Sequence, residues 1–95
     1  MGMNVHLDGM LVQTEAAVHD AFRAASGVEW YGGNLDALFD LLVGVVPPPI
    51  VIRWTDAALS RQGIGARFDR LICVILDAVA EPGGTAIRFT MDSSR

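Results

Sequence analysis

Hydrophobic and polar positions alternate in two short segments of this chain and follow a helical period in several longer ones. The alternation over residues 3–7 and 85–91 predicts strands with one solvent-exposed face. The continuous apolar run at 50–54 predicts a third strand, central in the sheet and covered on much of both faces. Because helical stretches separate the strands, we expect a parallel sheet in the order 1-2-3.

Four helices are expected between these strands. Three main helices are predicted at about 15–25, 34–43 and 66–81, and a short one at 56–62. The chain of 95 residues is therefore expected to form one α/β domain covering positions 1–95.

Local signals predict where the helices begin and end. Thr14 is a suitable N-cap for the first helix, and Ser26-Gly27 should end it. Gly44 and the prolines at 47–49 should end the second helix. Gly63 and Gly65 are expected to form a flexible joint between the last two helices. The segment 82–84 should end the final helix, and residues 92–95 should form a tail.

The apolar stripes also predict which helix faces are exposed. The final helix is so apolar that we expect it to be buried on most sides, with Cys73 as a small buried hydrophobe. The first helix should expose the side that carries Glu15, His19, Asp20 and Arg23.

Residues 29–42, with the sequence EWYGGNLDALFDLL, are the most informative segment. Asn34 follows a Gly-Gly loop and is a good N-cap for the helix that begins there. At about 100° per residue, Asp36, Phe39 and Asp40 share one face of that helix. Like charges four residues apart cost a helix about 0.2–0.5 kcal/mol, and an exposed Phe gains nothing in a monomer. This face therefore indicates a cationic partner that accepts an aromatic ring, while the opposite face would be buried through Leu35, Leu38, Leu41 and Leu42.

Composition narrows the class of protein. A hydrophobic fraction of 52% and a mean hydropathy of +0.38 indicate a folded chain. The longest apolar run, 71–76, is far shorter than the roughly 20 residues that span a bilayer. The N-terminal residues do not resemble a secretory signal, so a cytoplasmic location is expected. A single cysteine excludes an internal disulfide and a cysteine zinc site.

The charge is unevenly distributed along the chain. The first fifty residues hold six acids and one base, a net charge of −5, and the remainder holds five acids and six arginines, or +1, which together give the overall −4. The acidic half argues against nucleic acid as a direct partner, because phosphate binding needs clustered Lys or Arg. It favours association with a basic protein.

The sequence contains no convincing catalytic, cofactor or metal motif. The nucleotide-binding glycine fingerprint is missing, and neither His6 nor His19 lies in a motif with a nucleophile. An alternative is a small acidic enzyme or metal-binding protein, in which Asp36 and Asp40 recruit Glu29 or Asp77 to hold Mg²⁺ or Ca²⁺. The leading expectation is a binding protein, without catalytic residues, cofactor or metal.

The segment Trp30–Asp40 closely resembles the barstar family, the intracellular inhibitors of the secreted bacterial ribonuclease barnase. The resemblance continues in Trp54 at the end of the second strand and in Leu76–Glu81 at the end of the last helix. It implies a barstar-like two-layer α/β fold and an inhibitor of a small microbial ribonuclease that is not itself an enzyme.

The resemblance also implies which residues bind the partner. Asp40 would enter the ribonuclease active site in place of an RNA phosphate, and Asp36 would add a second charge. Trp30 and Phe39 would pack beside them. The remaining contacts would come from the loop, the end of the helix and the last helix, at Tyr31, Gly32, Gly33, Asn34, Gly44, Val45 and Asp77.

This chain departs from the family pattern on the implied binding face. Four positions differ: Trp30 stands in place of Tyr, Phe39 in place of Trp, Gly33 in place of Glu and Val45 in place of Trp. In addition, Asp77 stands where the family has an acidic residue with one more methylene. These changes suggest the same role against a differently shaped nuclease, and leave open an immunity protein for another basic toxin such as a deoxyribonuclease. A monomer is expected, with a homodimer as the alternative.

Overall fold

The computed structural model describes residues 2–81 and 86–92 and contains a three-stranded parallel sheet. The strands β1 (Met3–Asp8), β2 (Ile50–Thr55) and β3 (Ile87–Met91) lie in the order β1-β2-β3. Met3 is in register with Ile50, and Ile50 with Ile87. The predicted α/β class, parallel pairing and strand order are confirmed.

The helices follow the predicted order along the chain. They are α1 (Glu15–Ser26), α2 (Leu35–Asp40), α3 (Ala57–Ile64) and α4 (Arg67–Ala80). A π turn at Leu41–Val45 directly continues α2. The predicted stop at 82–84, the first residue of the third predicted strand and positions 93–95 of the tail lie outside the described residues.

The hydrophobic core lies between the sheet and the helices. Alternate strand residues point into it, and α1 and α4 each contribute one buried stripe. Complete burial of one such aliphatic or aromatic side chain contributes about 1.5–3 kcal/mol, so this layer accounts for most of the stabilisation. The principal core side chains are Val5, Leu7, Val18, Phe22, Leu38, Ile50, Ile52, Trp54, Phe68, Leu71 and Ile75.

The other face of the sheet is open to solvent, contrary to the expectation that β2 is covered on both faces. Burial alternates along β2, with Val51 only partly buried and Arg53 exposed between the buried Ile52 and Trp54. His6 on β1 and Arg88 on β3 are exposed on the same side. β2 is nevertheless central, so its apolar run reflects its position in the sheet and not a second layer of helices.

Helix α4 is amphipathic, and the expectation that it is buried on most sides is wrong. Its buried residues Phe68, Leu71, Ile75 and Ala78 form a single stripe. Cys73, predicted to be buried, is exposed on the opposite side, because only one layer of helices covers the sheet and the outer face of α4 meets solvent. No helix in the described ranges is long and apolar enough to span a membrane.

Gly63 is not part of a flexible joint but lies inside α3. A Cβ at this position would be only 2.3 Å from the carbonyl oxygen of Gln13, so the absence of a side chain lets α3 approach the segment before α1. Gly65, by contrast, ends α3 with a φ of 76°, a conformation that favours glycine.

Trp54 is the largest fully buried side chain and its polar atom is satisfied. Its indole Nε1 donates to Ser60 Oγ at 2.9 Å, and this hydroxyl donates to the Val12 carbonyl at 2.6 Å. The indole also meets the Phe68 ring edge-on, with centroids 5.1 Å apart. Trp54 thus connects β2, α3, α4 and the segment before α1.

Candidate protein-binding site

The loop between α1 and α2 places one tryptophan in solvent and one tyrosine in the core. Gly27 ends α1 with a φ of 71°, and the backbone N–H of Tyr31 donates to the Val28 carbonyl at 3.2 Å. Trp30 is 73% exposed, whereas Tyr31 is 4% exposed. A direct side-chain contact with a partner therefore suits Trp30, while Tyr31 can act by holding the loop.

The start of α2 is built as its sequence predicts. Asn34 caps the helix, and its side-chain oxygen accepts a hydrogen bond from the backbone N–H of Ala37 at 2.8 Å. Asp36 and Asp40 are exposed. Phe39 is less exposed than expected, because it is partly buried against the core. The face is therefore acidic, with the edge of an aromatic ring and not a fully exposed one.

The helix was predicted to end before Gly44, but it continues through Gly44 as the π turn. The N–H of Val46 donates to the Leu41 carbonyl at 3.0 Å, five residues earlier, which is the hydrogen bond that defines a π turn. Leu41 and Leu42 remain buried, so the wider turn keeps the leucine face in the core while Gly44 stays exposed. π turns occur frequently at functional sites.

A surface depression of about 210 Å³ joins the loop to the end of α2 and the π turn. It brings together five of the predicted site residues. The predicted residues Gly33, Asn34, Asp36, Phe39 and Gly44 belong to the same stretch but do not line it, and Asp77 is exposed on α4. The lining consists of Trp30, Tyr31, Gly32, Ala37, Asp40, Leu41 and Val45.

The carboxylates of the predicted site and of the neighbouring Glu29 have no partner among the residues that the structure describes. Within residues 2–81 and 86–92, the carboxylates of Glu29, Asp36, Asp40 and Asp77 make no ion pair and no side-chain hydrogen bond. Burying a carboxylate without a partner is costly, so burial of these groups at an interface would require a positive charge on the partner. The site is thus suited to bind a positively charged surface.

A hydrogen-bonded network lies directly behind the loop. His19, predicted to be on an exposed face, is buried, and its Nδ1 is 2.5 Å from the Tyr31 hydroxyl. Its Nε2 is 3.0 Å from Glu15 Oε2, and Arg67 of α4 donates two hydrogen bonds to the same carboxylate. Arg23 donates to the Tyr31 carbonyl at 3.1 Å and to Asp20 at 2.9 Å.

Sequence reasoning missed the function of this network. Glu15, His19 and Arg23 follow one another at four-residue spacing, so they lie along one face of α1. That regular polar row was a usable signal, but it was interpreted as a solvated surface. Only His19 of this row is buried, and Tyr31, to which it is hydrogen-bonded, comes from the following loop.

Arg67 holds the pKa of Glu15 at about 2, below its usual value of 4.5. The hydrogen bonds from Arg67 are the largest cause, and those from His19 also lower the pKa, whereas burial of the carboxylate opposes the shift. Burial raises the pKa of the Tyr31 hydroxyl above its usual value, so this hydroxyl remains neutral.

Glu15→Gln should lower the stability of the protein at neutral pH and weaken its acid dependence. Because the pKa is lower in the folded state, the carboxylate stabilises the fold fully above about pH 4.5, and this contribution is lost as the pH falls towards 2. Solvent around Arg67 moderates the effect. Urea unfolding of both proteins across this pH range tests the prediction, and parallel stability curves would contradict it. Asp69→Asn, which removes an exposed ion pair with Arg61, is the control.

Potential metal ligands do not converge at this face. In the part of the chain that the structure describes, no three His, Cys, Asp or Glu side chains form a group that could hold a metal ion. What the site does present is a loop with an exposed indole, a shallow depression and unpaired carboxylates.

A comparison with protein families finds a match along nearly the whole chain. The family model described as Barstar (barnase inhibitor) matches residues 2–93 of the 95. The match covers all three strands, the four helices and the whole candidate site.

Proposed function

The chain belongs to the barstar family, and on this premise we propose that it inhibits a ribonuclease of the barnase type. The family is one of inhibitors, in agreement with the expectation that this protein is not an enzyme. It would act inside the cell that produces the nuclease, by covering the active site of that enzyme.

The observation that carries this proposal is the depression with Asp40 at its edge. A ribonuclease binds the phosphates of RNA through positive groups, so its active site attracts an exposed carboxylate that has no partner of its own. Asp40 would occupy the position of a phosphate, and Asp36, one turn earlier on α2, would add a second negative charge.

The neighbouring residues would supply the shape of the contact. Trp30 offers a large exposed indole, a side chain enriched at the centres of interfaces. Gly32 and Gly33 let the partner approach the backbone closely, and Val45 closes the other side of the depression. Peripheral contacts are assigned to Asn34, Phe39, Gly44 and Asp77, while Tyr31 supports the loop from inside.

Inhibition would be steric and electrostatic, without any chemical step. The inhibitor would cover the cleft and neutralise the groups that RNA would use, and it would not itself be chemically altered. The acidic face should also accelerate encounter with a basic enzyme, an effect for which the barnase–barstar pair is a reference case. Salt screens such long-range attraction over about 10 Å at 0.1 M ionic strength.

We expect the purified protein to inhibit a guanyl-preferring ribonuclease of the barnase type at a one-to-one ratio, with an association rate that falls as salt rises. Stopped-flow mixing at increasing ionic strength measures this rate. Asp36→Asn should lower the rate and flatten its salt dependence, because it removes one charge from the binding face. Asp69→Asn removes an acid on α4 outside the depression and should change the rate less. A salt-independent rate would contradict the electrostatic part of the proposal.

A second candidate is an inhibitor of another basic nuclease toxin. It is favoured by the location of the family departures, because Trp30 and Val45 line the depression itself and Phe39 and Gly33 adjoin it. If barnase-type ribonucleases are not inhibited, the same titration against a deoxyribonuclease toxin encoded beside this gene separates the two candidates.

A further inference from the structure

We propose that His19 is a positioning residue for the binding face, because it fixes Tyr31 and thereby the loop that carries Trp30 and Gly32. Its effect on inhibition rests on the proposed function, whereas its effect on the loop can be measured in the free protein. His19 is buried on α1 and does not line the depression, so it would act entirely through Tyr31.

Both nitrogens of the His19 ring are engaged in hydrogen bonds. The ionised carboxylate of Glu15 can only accept, so Nε2 carries the proton and donates to it at 3.0 Å. Nδ1 lies 2.5 Å from the hydroxyl of Tyr31, within hydrogen-bond distance. The ring thus joins the helix residue Glu15 to the loop residue Tyr31.

The network is anchored at both of its ends. On one side, Arg67 of α4 binds the Glu15 carboxylate through Nε at 2.7 Å and Nη2 at 3.1 Å. On the other, Arg23 donates to the Tyr31 carbonyl at 3.1 Å and lies 5.6 Å from the centre of its ring. Tyr31 is therefore held at its hydroxyl, its ring and its backbone, while Trp30 and Gly32 on either side of it line the depression.

Packing alone does not require a histidine at this position. Val18 and Phe22 already provide the fully buried apolar contacts of α1. What His19 adds is a directional hydrogen bond from the helix to a loop residue, and such a bond restricts the loop to one position. A preformed loop loses less entropy on binding, so its order contributes to affinity.

The first experiment measures the loop in the free protein by amide hydrogen exchange. The N–H of residue 31 donates to Val28 and reports opening of the loop, whereas strand amides such as that of Ile52 report global unfolding. His19→Leu and Tyr31→Phe should each accelerate exchange at residue 31 at least about tenfold relative to the strand. His6→Leu, which alters the other histidine on the open sheet face, should leave the loop unchanged.

A conservative variant distinguishes positioning from simple packing. His19→Asn places an acceptor near the location of Nδ1, so it should retain the bond to Tyr31 and recover slow exchange despite its smaller volume. Because Tyr31→Phe keeps the ring and loses only the hydroxyl, the prediction remains testable if His19→Leu fails to fold. In the His19→Leu background, Tyr31→Phe should have no further effect.

The second experiment measures inhibition of the cognate ribonuclease by the same variants. His19→Leu and Tyr31→Phe should raise the inhibition constant at least about tenfold. His19→Asn should keep the inhibition constant close to that of the wild-type protein. Unchanged loop exchange in both variants overturns the proposal, as does a loosened loop with unchanged inhibition. If the loop loosens as expected but the wild-type protein inhibits no nuclease, the loop-positioning role is supported and the proposed function fails.

Discussion

Replacing Asp40 by alanine is expected to raise the inhibition constant at least about 30-fold, which corresponds to the 2 kcal/mol that marks a binding hot spot. Asp40 lies at the edge of the depression, is exposed and has no described ion pair or side-chain hydrogen bond. In the complex its loss would leave the positive groups of the nuclease buried and unpaired, which is costlier than losing an exposed ion pair.

The same substitution should not destabilise the free protein. Asp40 follows Asp36 by four residues, and removing one of two like charges at this spacing relieves about 0.2–0.5 kcal/mol of repulsion. Titration calorimetry and thermal unfolding together test both parts. Asp40→Asn, which keeps the shape and removes the charge, separates electrostatic from steric loss, and Asp69→Ala serves as a matched acidic control outside the site. Full inhibition by Asp40→Ala would assign the contact to another residue.

Trp54→Ala should cause the largest loss of stability, about 3–5 kcal/mol. The substitution opens a cavity beside Phe68, and it removes the indole donor from Ser60, a fully buried hydroxyl that keeps only its bond to Val12. For a domain of this size each kcal/mol lowers the melting temperature by about 4–8 °C. Since total stability is typically about 5–15 kcal/mol, the variant should lose a large fraction of its free energy of unfolding.

Trp30→Ala is the matched control, because it removes the same side chain from a site that is 73% exposed. Its melting temperature should remain within about 4 °C of wild type, since surface substitutions usually change stability by less than 0.5 kcal/mol. Inhibition should show the opposite pattern, with a clear loss for Trp30→Ala. Calorimetry is the suitable measurement, because each substitution removes one of the two tryptophans that report unfolding by fluorescence. Equal loss of stability in both variants would contradict the assigned core.

The local features of the candidate site could be predicted because they depend on neighbours in sequence. The cap at Asn34 needs only a side-chain oxygen and a nearby backbone N–H, and the structure contains that bond. The division of α2 into buried leucines and exposed Asp36 and Asp40 follows from helical geometry alone. Parallel pairing also followed from sequence, since helical crossovers join parallel strands, and the continuous apolar run at 50–54 indicated the central strand.

The features that could not be predicted depend on residues far apart in sequence. His19 lies in a polar row of α1 that is typical of an exposed helix face. It is buried in the structure, where it contacts Tyr31 of the following loop. Cys73 lies in an apolar run and is exposed only because the sheet has a single covering layer. The π turn was not predicted either: it includes Gly44, a residue of low helix propensity, and Leu41 and Leu42 within it are buried.

Except for Asp77, the residues proposed for the binding face come from one uninterrupted stretch of the chain, residues 30–45. Buried side chains within that stretch, such as Leu38 and Leu41, fasten it to the core at fixed points. On the proposed function, specificity for the partner is therefore expected to reside in this short stretch, because its outward residues can be replaced while the buried leucines and the sheet are kept.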